Sequence, residues 1–443
     1  MPDLARKPWF LGAVVIVGVA IRIALLPAPG FVGDIDQFVE WVGHIARDGL
    51  PNAYDTNLSF GPVMVFVWWF LGLVDPSLVD AANSSDAAVR VVMKLPAIAA
   101  DLALAGFAWY ALRARPGWAT IAVAVLLLHP AIWFVSAWWG TYDSVYTAFA
   151  VAAFVFAVKG RDLVAVIALV LALMSKPQAA PLVAPFAAWF LARAAWEWHA
   201  QRSIAKPLLR LGVLAIGGLG TLVLLWLPFL AANGPANYVY WLGRYQNEFY
   251  AVVSISAWNP WWAMQEVLVG GKFIVDSAAL VGPVSFRLVG YALTGLLLLI
   301  VGICVARRPT PRVLAIGLAT AALVAFEFLT TMHERYAFAV LPMLLFVLDD
   351  RRIRWIAAIF SVTFVLNLLS ATEHLLGILP FHGPLGVIGS LVNVGCLAFL
   401  LLELVRGSRQ PEPASMINDA AQEAGGRTPR DTSAGSAGAI SAA

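Results

Sequence analysis

Residues 11–26 of this 443-residue chain read LGAVVIVGVAIRIALL, an apolar run in which Arg22 is the one charged residue. About 20 such residues carry a helix across the hydrocarbon core of a bilayer, and similar runs recur along most of the chain. The chain is 61% hydrophobic and 12% charged, with a mean hydropathy of +0.81, whereas a soluble domain is about 25% charged. The sequence therefore predicts an all-α polytopic membrane protein. Because further spans follow, we interpret the first run as a span and not as a cleaved signal peptide.

The basic connectors between the runs all fall on one side of the membrane, which the positive-inside rule assigns to the cytoplasm. The run from Gly61 to Val74 is too short for a span, and counting it as one would invert every later basic connector. We therefore predict a juxtamembrane or re-entrant helix there. The twelve predicted spans, which leave both termini cytoplasmic, are 9–27, 89–112, 117–138, 142–158, 162–175, 178–194, 208–229, 283–305, 311–330, 335–348, 353–370 and 384–405.

The predicted organisation is one transmembrane domain over residues 1–406, with outer loops at 28–88 and 231–282. Residues 407–443 are rich in Ala, Gly, Ser, Glu and Arg and are expected to form a disordered cytoplasmic tail. The two cysteines, Cys304 and Cys396, lie inside apolar runs, which excludes a disulfide framework and a cysteine metal site. The net charge of +3 is sorted by loop, so it indicates topology and no nucleic-acid partner.

An acidic pair follows the first span in residues 33–41, GDIDQFVEW. Uncompensated carboxylates at a bilayer edge are costly, so Asp34 and Asp36 are candidates for catalysis. The two side chains share a face only if this segment is extended, because residues two apart diverge on a helix. Asp34 is equally well placed to cap the following helix. A divalent metal would need further oxygen ligands, to which Asp143 could contribute.

Asp143 follows two tryptophans and a glycine at the start of a predicted span. It is either a helix cap beside an interfacial aromatic belt or a second carboxylate facing Asp34. Lys176 and Arg335 lie on the outer side, against the positive-inside trend. Each suits a phosphate, although each also fits a side chain that reaches the lipid headgroups.

Three further polar features allow the same two interpretations, ligand binding or a structural role. Arg22, near the outer end of the first span, requires a partner such as Asp34 or an anionic ligand. Lys94 and Asp101 are seven residues apart on one face of the second span, where mutual neutralisation is the favoured interpretation. His333 is a phosphate donor or an ordinary interfacial residue.

The outer loop at 231–282 is dense in tyrosine and tryptophan with interleaved amides. Aromatic residues commonly anchor a protein at the membrane interface. This density exceeds what anchoring needs, and aromatic rings beside amides suit a sugar, whose ring has an apolar face and a hydroxyl rim.

Together these motifs resemble those of the GT-C glycosyltransferases, multi-span enzymes that use polyprenyl-phosphate-linked sugars. The nearest subgroup is similar to bacterial relatives of the GPI-anchor mannosyltransferases. The matching segments are Gly33-Asp34 with Phe38 and Trp41, Gly49 and Tyr54, Trp139-Gly140-Thr141-Tyr142-Asp143-Ser144, Ser175-Lys176-Pro177-Gln178, Ser256-Ala257-Trp258-Asn259 and Met332-His333-Glu334-Arg335-Tyr336.

The resemblance implies an inverting transfer of a sugar, expected to be mannose, to a glycan, glycolipid or protein acceptor at the non-cytoplasmic face of a bacterial plasma membrane. It implies that Asp34 is the general base, with Asp36 and Asp143 as further catalytic candidates. The expected phosphate contacts are Lys176, His333, Arg335, Arg22 and Lys94. The expected sugar or acceptor contacts are Trp139, Tyr142, Gln178, Trp258, Asn259 and Glu334. No cofactor is implied, although a divalent metal remains compatible.

Two other classes of protein compete with this hypothesis. A transporter or flippase of lipid-linked sugars would place polar sites near the bilayer midplane within an internal repeat, and the sequence has no convincing repeat. A structural subunit would leave Asp34 and the basic residues of the outer side without a task.

Overall fold

The computed structural model describes residues 3–378 and 380–409, apart from the side chains of Asp3 and His382. The tail predicted at 407–443 therefore lies outside the described residues from position 410 onward. The fold is built almost entirely of helices. They are α1 (Pro8–Leu25), α2 (Val32–Asp48), α3 (Pro62–Val74), α4 (Ser77–Asp80), α5 (Ala87–Leu112), α6 (Pro116–Leu128), α7 (Pro130–Trp133), α8 (Asp143–Val158), α9 (Asp162–Leu173), α10 (Val183–Gln201), α11 (Ala205–Trp226), α12 (Gly234–Arg244), α13 (Pro260–Val269), α14 (Phe286–Arg307), α15 (Pro311–Phe328), α16 (Val340–Leu344), α17 (Arg351–Ala371), α18 (Glu373–Leu376) and α19 (His382–Gly407).

Shorter turns complete the helical part. The 3₁₀ turns are Asp3–Arg6, Leu50–Asn52, Pro177–Leu182, Leu227–Ala232 and Leu345–Val347, and π-helical turns occur at Phe134–Trp139 and Tyr245–Phe249. The strands are β1 (Ser254–Ile255), β2 (Ala279–Val281), β3 (Val284–Ser285) and β4 (Met332–His333). β1 pairs in parallel with β4, and β2 pairs antiparallel with β3.

The all-α polytopic fold class is confirmed. In the described part of the chain, 8 helices are long and apolar enough to cross a membrane, or 9 if the bent α6–α7 pair counts as one span. The most enclosed of them is α15, with 83% of its most apolar 18 residues buried, against 17% in α1 and α11. The core of the bundle therefore surrounds α15, while α1 and α11 face outward.

The predicted spans 142–158, 162–175 and 335–348 fall on shorter elements. α8 has 16 residues and α9 has 12, and 335–348 contains only α16 and a 3₁₀ turn. The last segment still connects two ends of the bundle, because it leads from Arg335 to Asp350, which pairs with Arg312 at the start of α15. α8 and α16 are enclosed by protein, whereas α9 exposes Leu163 and Val164 on one side.

Proline and capping side chains mark where several helices begin. Pro8, Pro116 and Pro311 occupy the first positions of α1, α6 and α15, where the missing N–H removes no helical hydrogen bond. The side chains of Asp86 and Ser285 accept hydrogen bonds from first-turn amides of α5 and α14. The sequence therefore defines these helix boundaries locally.

The helix predicted at Gly61–Val74 is present as α3. Its start packs tightly against the end of α9, because a side chain on Gly61 would lie 2.2 Å from the carbonyl oxygen of Met174. The amide of Val63 donates to the same carbonyl, at 3.0 Å. This contact places the loop before α3 directly beside Ser175 and Lys176.

Candidate active site

A cavity of about 870 Å³ opens where the segments 28–88 and 231–282 meet the bundle. One end is polar and is lined by Asp34, Lys176, Gln178, His333 and Arg335. The other end extends between α14 and α15 and is lined by apolar side chains, which are Leu298, Ala322, Ala325, Phe326 and Leu329. The cavity therefore joins a charged chamber to an apolar arm within the helix bundle.

Asp34 lies in the first turn of α2, on the wall of the polar chamber. Its Oδ2 accepts a hydrogen bond from the indole Nε1 of Trp139 at 2.9 Å and is 3.3 Å from the guanidinium of Arg335. Its Oδ1 has no hydrogen-bond partner within residues 3–378 and 380–409, and the side chain keeps 24% exposure. One oxygen is therefore held, while the other is available to a ligand.

The cap of α2 is Phe31, so Asp34 is not the capping residue. Asp34 still gains from the positive end of the helix dipole, as any carboxylate in a first turn does. Asp36 diverges from it on the helix, and its Oδ1 accepts hydrogen bonds from the amide and hydroxyl of Ser84. Asp36 therefore ties α2 to the loop before α5 and does not line the cavity.

Asp143 is the partner of Lys176. The Lys176 Nζ donates to Asp143 Oδ1 at 2.7 Å, and Thr141 donates to Asp143 Oδ2 at 3.0 Å. Arg335 Nε is 3.8 Å from the same Oδ2. Asp143 is fully buried and does not line the cavity. Both of its oxygens are thus occupied in holding the basic residues.

Arg335 is the centre of the charged chamber. Its guanidinium pairs with Glu334 at 2.8 Å as well as with Asp34, and it lies over the rings of Trp139 and Tyr336 at 5.2 and 5.6 Å. Its Nε is buried and has no hydrogen-bond partner in the described residues. A ligand oxygen in the chamber could accept from that nitrogen.

His333 reaches the chamber through β4. Pairing with β1 at Ile255 holds its backbone, and its ring packs edge-on against Tyr250 and Tyr336. Burial lowers the pKa of His333 well below its ordinary value, and the charges of Arg335 and Lys176 act in the same direction. Burial also raises the pKa of Glu334, which Arg335 opposes. His333 is therefore a neutral imidazole near pH 7.

Two glycines bring Trp139 to Asp34. Gly140 has a φ of +93° and ends the π-helical turn Phe134–Trp139. Gly30 has a φ of +65°, and a side chain there would lie 2.5 Å from the Trp138 carbonyl and 2.6 Å from that of Trp139. This close backbone approach fixes the start of α2 against the indole that donates to Asp34.

Arg22 and Lys94 lie away from the cavity lining. Arg22 is buried in an ion pair with Asp101, 2.8 Å away, and its remaining nitrogens donate to carbonyls of Gly18, Leu126 and Leu127. Lys94 donates to the carbonyl of Ala28 at 2.7 Å. Asp101 thus pairs with Arg22 and not with Lys94, contrary to the expectation from spacing, because Lys94 is engaged instead by carbonyls at the end of α1 and in the turn that follows it.

Of the expected sugar contacts, Gln178 lines the cavity, and its Oε1 is buried without a hydrogen-bond donor in the described chain. Trp139 reaches the site through Asp34. Tyr142 donates to the Met93 carbonyl at 2.8 Å, behind the wall.

Trp258 and Asn259 contribute to packing. The Trp258 amide donates to Asn367 at 3.0 Å, and Asn259 caps α13 and donates to the carbonyl of Phe326 at 2.9 Å. Neither lines the cavity.

Several cavity residues were not predicted individually. Gln37, Asn57 and Tyr245 form a polar wall, in which Tyr245 donates to the Asn57 carbonyl at 3.0 Å and the Trp41 indole donates to the Asn57 side chain at 2.9 Å. Tyr250 completes the wall. The position of Gln37, three residues after Asp34 on α2, was a usable signal. The sequence contains no comparable signal for Asn57, because this residue lies in an irregular turn.

The described residues contain no group of three or more His, Cys, Asp and Glu side chains arranged to hold a metal ion. Asp34 and Asp143 are instead both neutralised by Arg335 and Lys176. The arrangement is one accessible carboxylate beside a cluster of cationic and imidazole donors, next to an apolar arm.

The ALG6, ALG8 glycosyltransferase family model matches residues 57–379. The matched range contains Asp143, Lys176, His333 and Arg335, while Asp34 precedes it. No curated protein matches the chain. The match confirms the resemblance to GT-C glycosyltransferases and identifies a multi-pass membrane glycosyltransferase that uses a lipid-linked sugar donor. Because the matched range covers most of its length, the chain belongs to the ALG6, ALG8 glycosyltransferase family.

Proposed function

We propose that this protein transfers a sugar from a polyprenyl-phosphate donor to an acceptor hydroxyl with inversion at the anomeric carbon. The observation that carries the proposal is the accessible Oδ1 of Asp34 in the same chamber as Lys176, His333 and Arg335. A base beside a phosphate-binding cluster is what a displacement of a phosphate leaving group requires.

Asp34 is the general base in this proposal. Its Oδ1 takes the proton from the acceptor hydroxyl as the oxygen attacks the anomeric carbon. The bond from that carbon to the phosphate oxygen breaks, and polyprenyl phosphate leaves with the electron pair. Trp139 and Arg335 hold the other oxygen of Asp34, so they orient the carboxylate.

Arg335, Lys176 and His333 bind the phosphate. Charge develops on the leaving oxygen in the transition state, so preorganised donors there contribute most to catalysis. Asp143 is a positioning residue, because it is buried and fixes Lys176 and Arg335 from behind. The neutral His333 donates an N–H to a phosphate oxygen.

The two ends of the cavity bind different parts of the donor. The polyprenyl chain lies in the apolar arm between α14 and α15, where Leu298, Ala322 and Phe326 are available to it. The sugar lies against Gln178, whose amide oxygen lacks a donor, and against the Tyr245 and Tyr250 rings. Such amide and aromatic surroundings suit the hydroxyl rim and apolar face of a sugar.

The motif resemblance favours mannose, whereas the family match carries no preference for it. We further propose that the cavity faces the non-cytoplasmic side of a bacterial plasma membrane, because basic connectors collect at the opposite end of the bundle. The acceptor is then a glycan, glycolipid or protein of that side.

The proposal is tested by following radiolabel from polyprenyl-phosphate mannose and, in parallel, polyprenyl-phosphate glucose into acceptors of reconstituted membranes. We expect Asp34→Asn to reduce transfer by about 100- to 10,000-fold, the range typical of losing a general base, while donor binding persists. The assay is run with and without a chelator, so metal dependence is measured directly.

Asp36→Asn is the matched control. The asparagine oxygen can still accept from Ser84, so transfer should stay within a few-fold of wild type. Equal loss in both variants would contradict the assignment of the base to Asp34. Loss in Asp36→Asn alone would place the base there. If neither donor supports transfer, the proposal that the donor is a polyprenyl-phosphate sugar is wrong.

A further inference from the structure

At the end of the bundle opposite the cavity, two cations lie on one tyrosine ring. The guanidinium carbon of Arg113 is 4.7 Å, and the Nζ of Lys159 4.5 Å, from the ring centroid of Tyr110. Both distances lie within the range of a cation–π contact. Arg161 follows two residues after Lys159, so the end of α5 and the turn between α8 and α9 bring three positive charges together.

The position of this basic cluster, Arg113, Lys159 and Arg161, is set by α8. That helix starts at Asp143 behind the active site and ends at Val158, directly before Lys159. Its 16 residues span about 24 Å at 1.5 Å per residue. The basic cluster therefore lies near the opposite face of the membrane, beyond the reach of any ligand in the cavity.

None of these three side chains has an ion pair or hydrogen bond with another side chain within residues 3–378 and 380–409. The carboxylate next to Arg161 in the chain is Asp162, and it is already engaged by Arg193 and Arg210. The basic cluster therefore holds three positive charges without a carboxylate partner in the described structure.

The charges act on one another. Partial burial lowers the pKa of Lys159, and the nearby Arg113 and Arg161 lower it further. Helix dipoles account for part of the arrangement, because Arg113 and Lys159 follow the carboxyl ends of α5 and α8. They do not account for Arg161, nor for two cations meeting on one ring. A bound anion would relieve the mutual repulsion.

The surface around the basic cluster is apolar. Trp109 is 43% exposed beside Tyr110, and Leu163 and Val164 are 40% and 42% exposed beside Arg161. Exposed apolar side chains of spanning helices contact acyl chains. An anion bound here is thus flanked by lipid-facing surface, which favours a phospholipid over a phosphate ion free in water.

We propose that Arg113, Lys159 and Arg161 bind the phosphate headgroup of an anionic phospholipid in the leaflet opposite the cavity. Basic residues at a membrane surface attract anionic lipids at about 1 kcal/mol each. Removing all three charges should therefore weaken lipid retention by about 100-fold. The proposal does not depend on the sugar-transfer chemistry.

The test is native mass spectrometry of the full-length protein titrated with phosphatidylglycerol, compared with phosphatidylcholine. Arg113→Gln/Lys159→Gln/Arg161→Gln should lose the preference for the anionic lipid by about 100-fold. Lys7→Gln/Arg202→Gln/Lys206→Gln is the matched control, because it removes three exposed charges from the same face at scattered places. This control should retain the preference.

A charge-conserving triple, Arg113→Lys/Lys159→Arg/Arg161→Lys, keeps the experiment interpretable if the glutamine triple folds poorly, and it should retain lipid. Displacement of the lipid by millimolar inorganic phosphate would show that the site takes a free anion and overturn the assignment to lipid. Retention by the glutamine triple within two-fold of wild type, or equal loss in the scattered control, would overturn the site itself.

Discussion

Asp34 and Asp143 carry the same carboxyl group, but their surroundings assign them different tasks. Asp34 has one oxygen facing the cavity, so it can meet a substrate proton. Asp143 is buried, and its two carboxylate oxygens contact Lys176, Thr141 and Arg335. Accessibility therefore separates a candidate base from a positioning residue where residue type does not.

The Arg22–Asp101 pair gives a prediction about folding. Arg22→Met should destabilise the protein by about 3–5 kcal/mol, because the buried Asp101 loses its cationic partner. Adding Asp101→Leu should recover most of that loss, since apolar replacement of a whole buried pair is often neutral. Thermal unfolding in detergent measures both variants. A stable double variant with a raised KM for donor would instead assign Arg22 to phosphate binding.

His333 predicts a pH dependence of stability. Its folded pKa lies well below the ordinary value of 6.5, so the unfolded chain binds a proton that the folded chain does not. The stabilisation linked to His333 is therefore fully present above pH 6.5, and it decreases as the pH falls below 6.5. Between about pH 7.5 and about pH 5.5 we expect a loss of at most about 1.4 kcal/mol from this residue.

The measurement compares wild type with His333→Gln in thermal unfolding at both pH values. The variant lacks the titrating group, so its stability should change less by that amount. Parallel profiles for the two proteins would contradict a neutral, buried His333.

At the scale of elements, the active site depends on how two turns approach each other. The π-helical turn Phe134–Trp139 ends at Gly140, and α2 begins just after Gly30. Trp139 stacks on Phe31 at 5.1 Å and donates to Asp34. A π-helical turn shifts the residues that follow it, and such turns are frequent at functional sites.

Gly30→Ala should therefore disturb both stability and transfer. The new Cβ would meet two carbonyl oxygens, and the positive φ adds a cost of about 1–3 kcal/mol. We expect a lower unfolding temperature together with a reduced kcat. Gly12→Ala on α1 is the control, because nothing lies within 4 Å of its Cβ position. An unaffected Gly30→Ala variant would show that the close approach is dispensable.

At the scale of the whole molecule, the cavity joins the segments 28–88 and 231–282 to helices of the bundle. Parallel pairing of β1 with β4 attaches the aromatic loop to His333, and α14 and α15 enclose the apolar arm. The charged chamber and the apolar arm are thus formed by segments that are distant in the sequence.

Ala325→Phe should narrow the apolar arm, since Ala325 lines it on α15. We expect the KM for a long-chain polyprenyl donor to rise about ten-fold, the effect of about 1.4 kcal/mol. A short-chain donor analogue should be affected less. Leu296→Phe on the exposed face of α14 is the control. An equal change in KM for both donors would show that the polyprenyl chain does not lie in the apolar arm.

Much of the fold and of the candidate site could be predicted from the amino-acid sequence. Apolar runs and helix-start signals predicted the membrane bundle, because lipid forces backbone groups into helices. The motifs carrying Asp34, Lys176, His333 and Arg335 were also recognised, because charged side chains stand out in an apolar chain. The same signal could not say which charges pair, so Arg22 and Lys94 were assigned to the phosphate with the others.

Tertiary structure alone decided those pairings. Asp101 of α5 neutralises Arg22 of α1, Ser84 in the loop before α5 donates hydrogen bonds to Asp36, and α8 and α9 bring Asp143 to Lys176. Each contact joins residues far apart in the chain, and an electrostatic interaction depends on distance in space. The sequence therefore determined which charged and polar groups the chain carries, and the packing of helices determined which of them face the cavity.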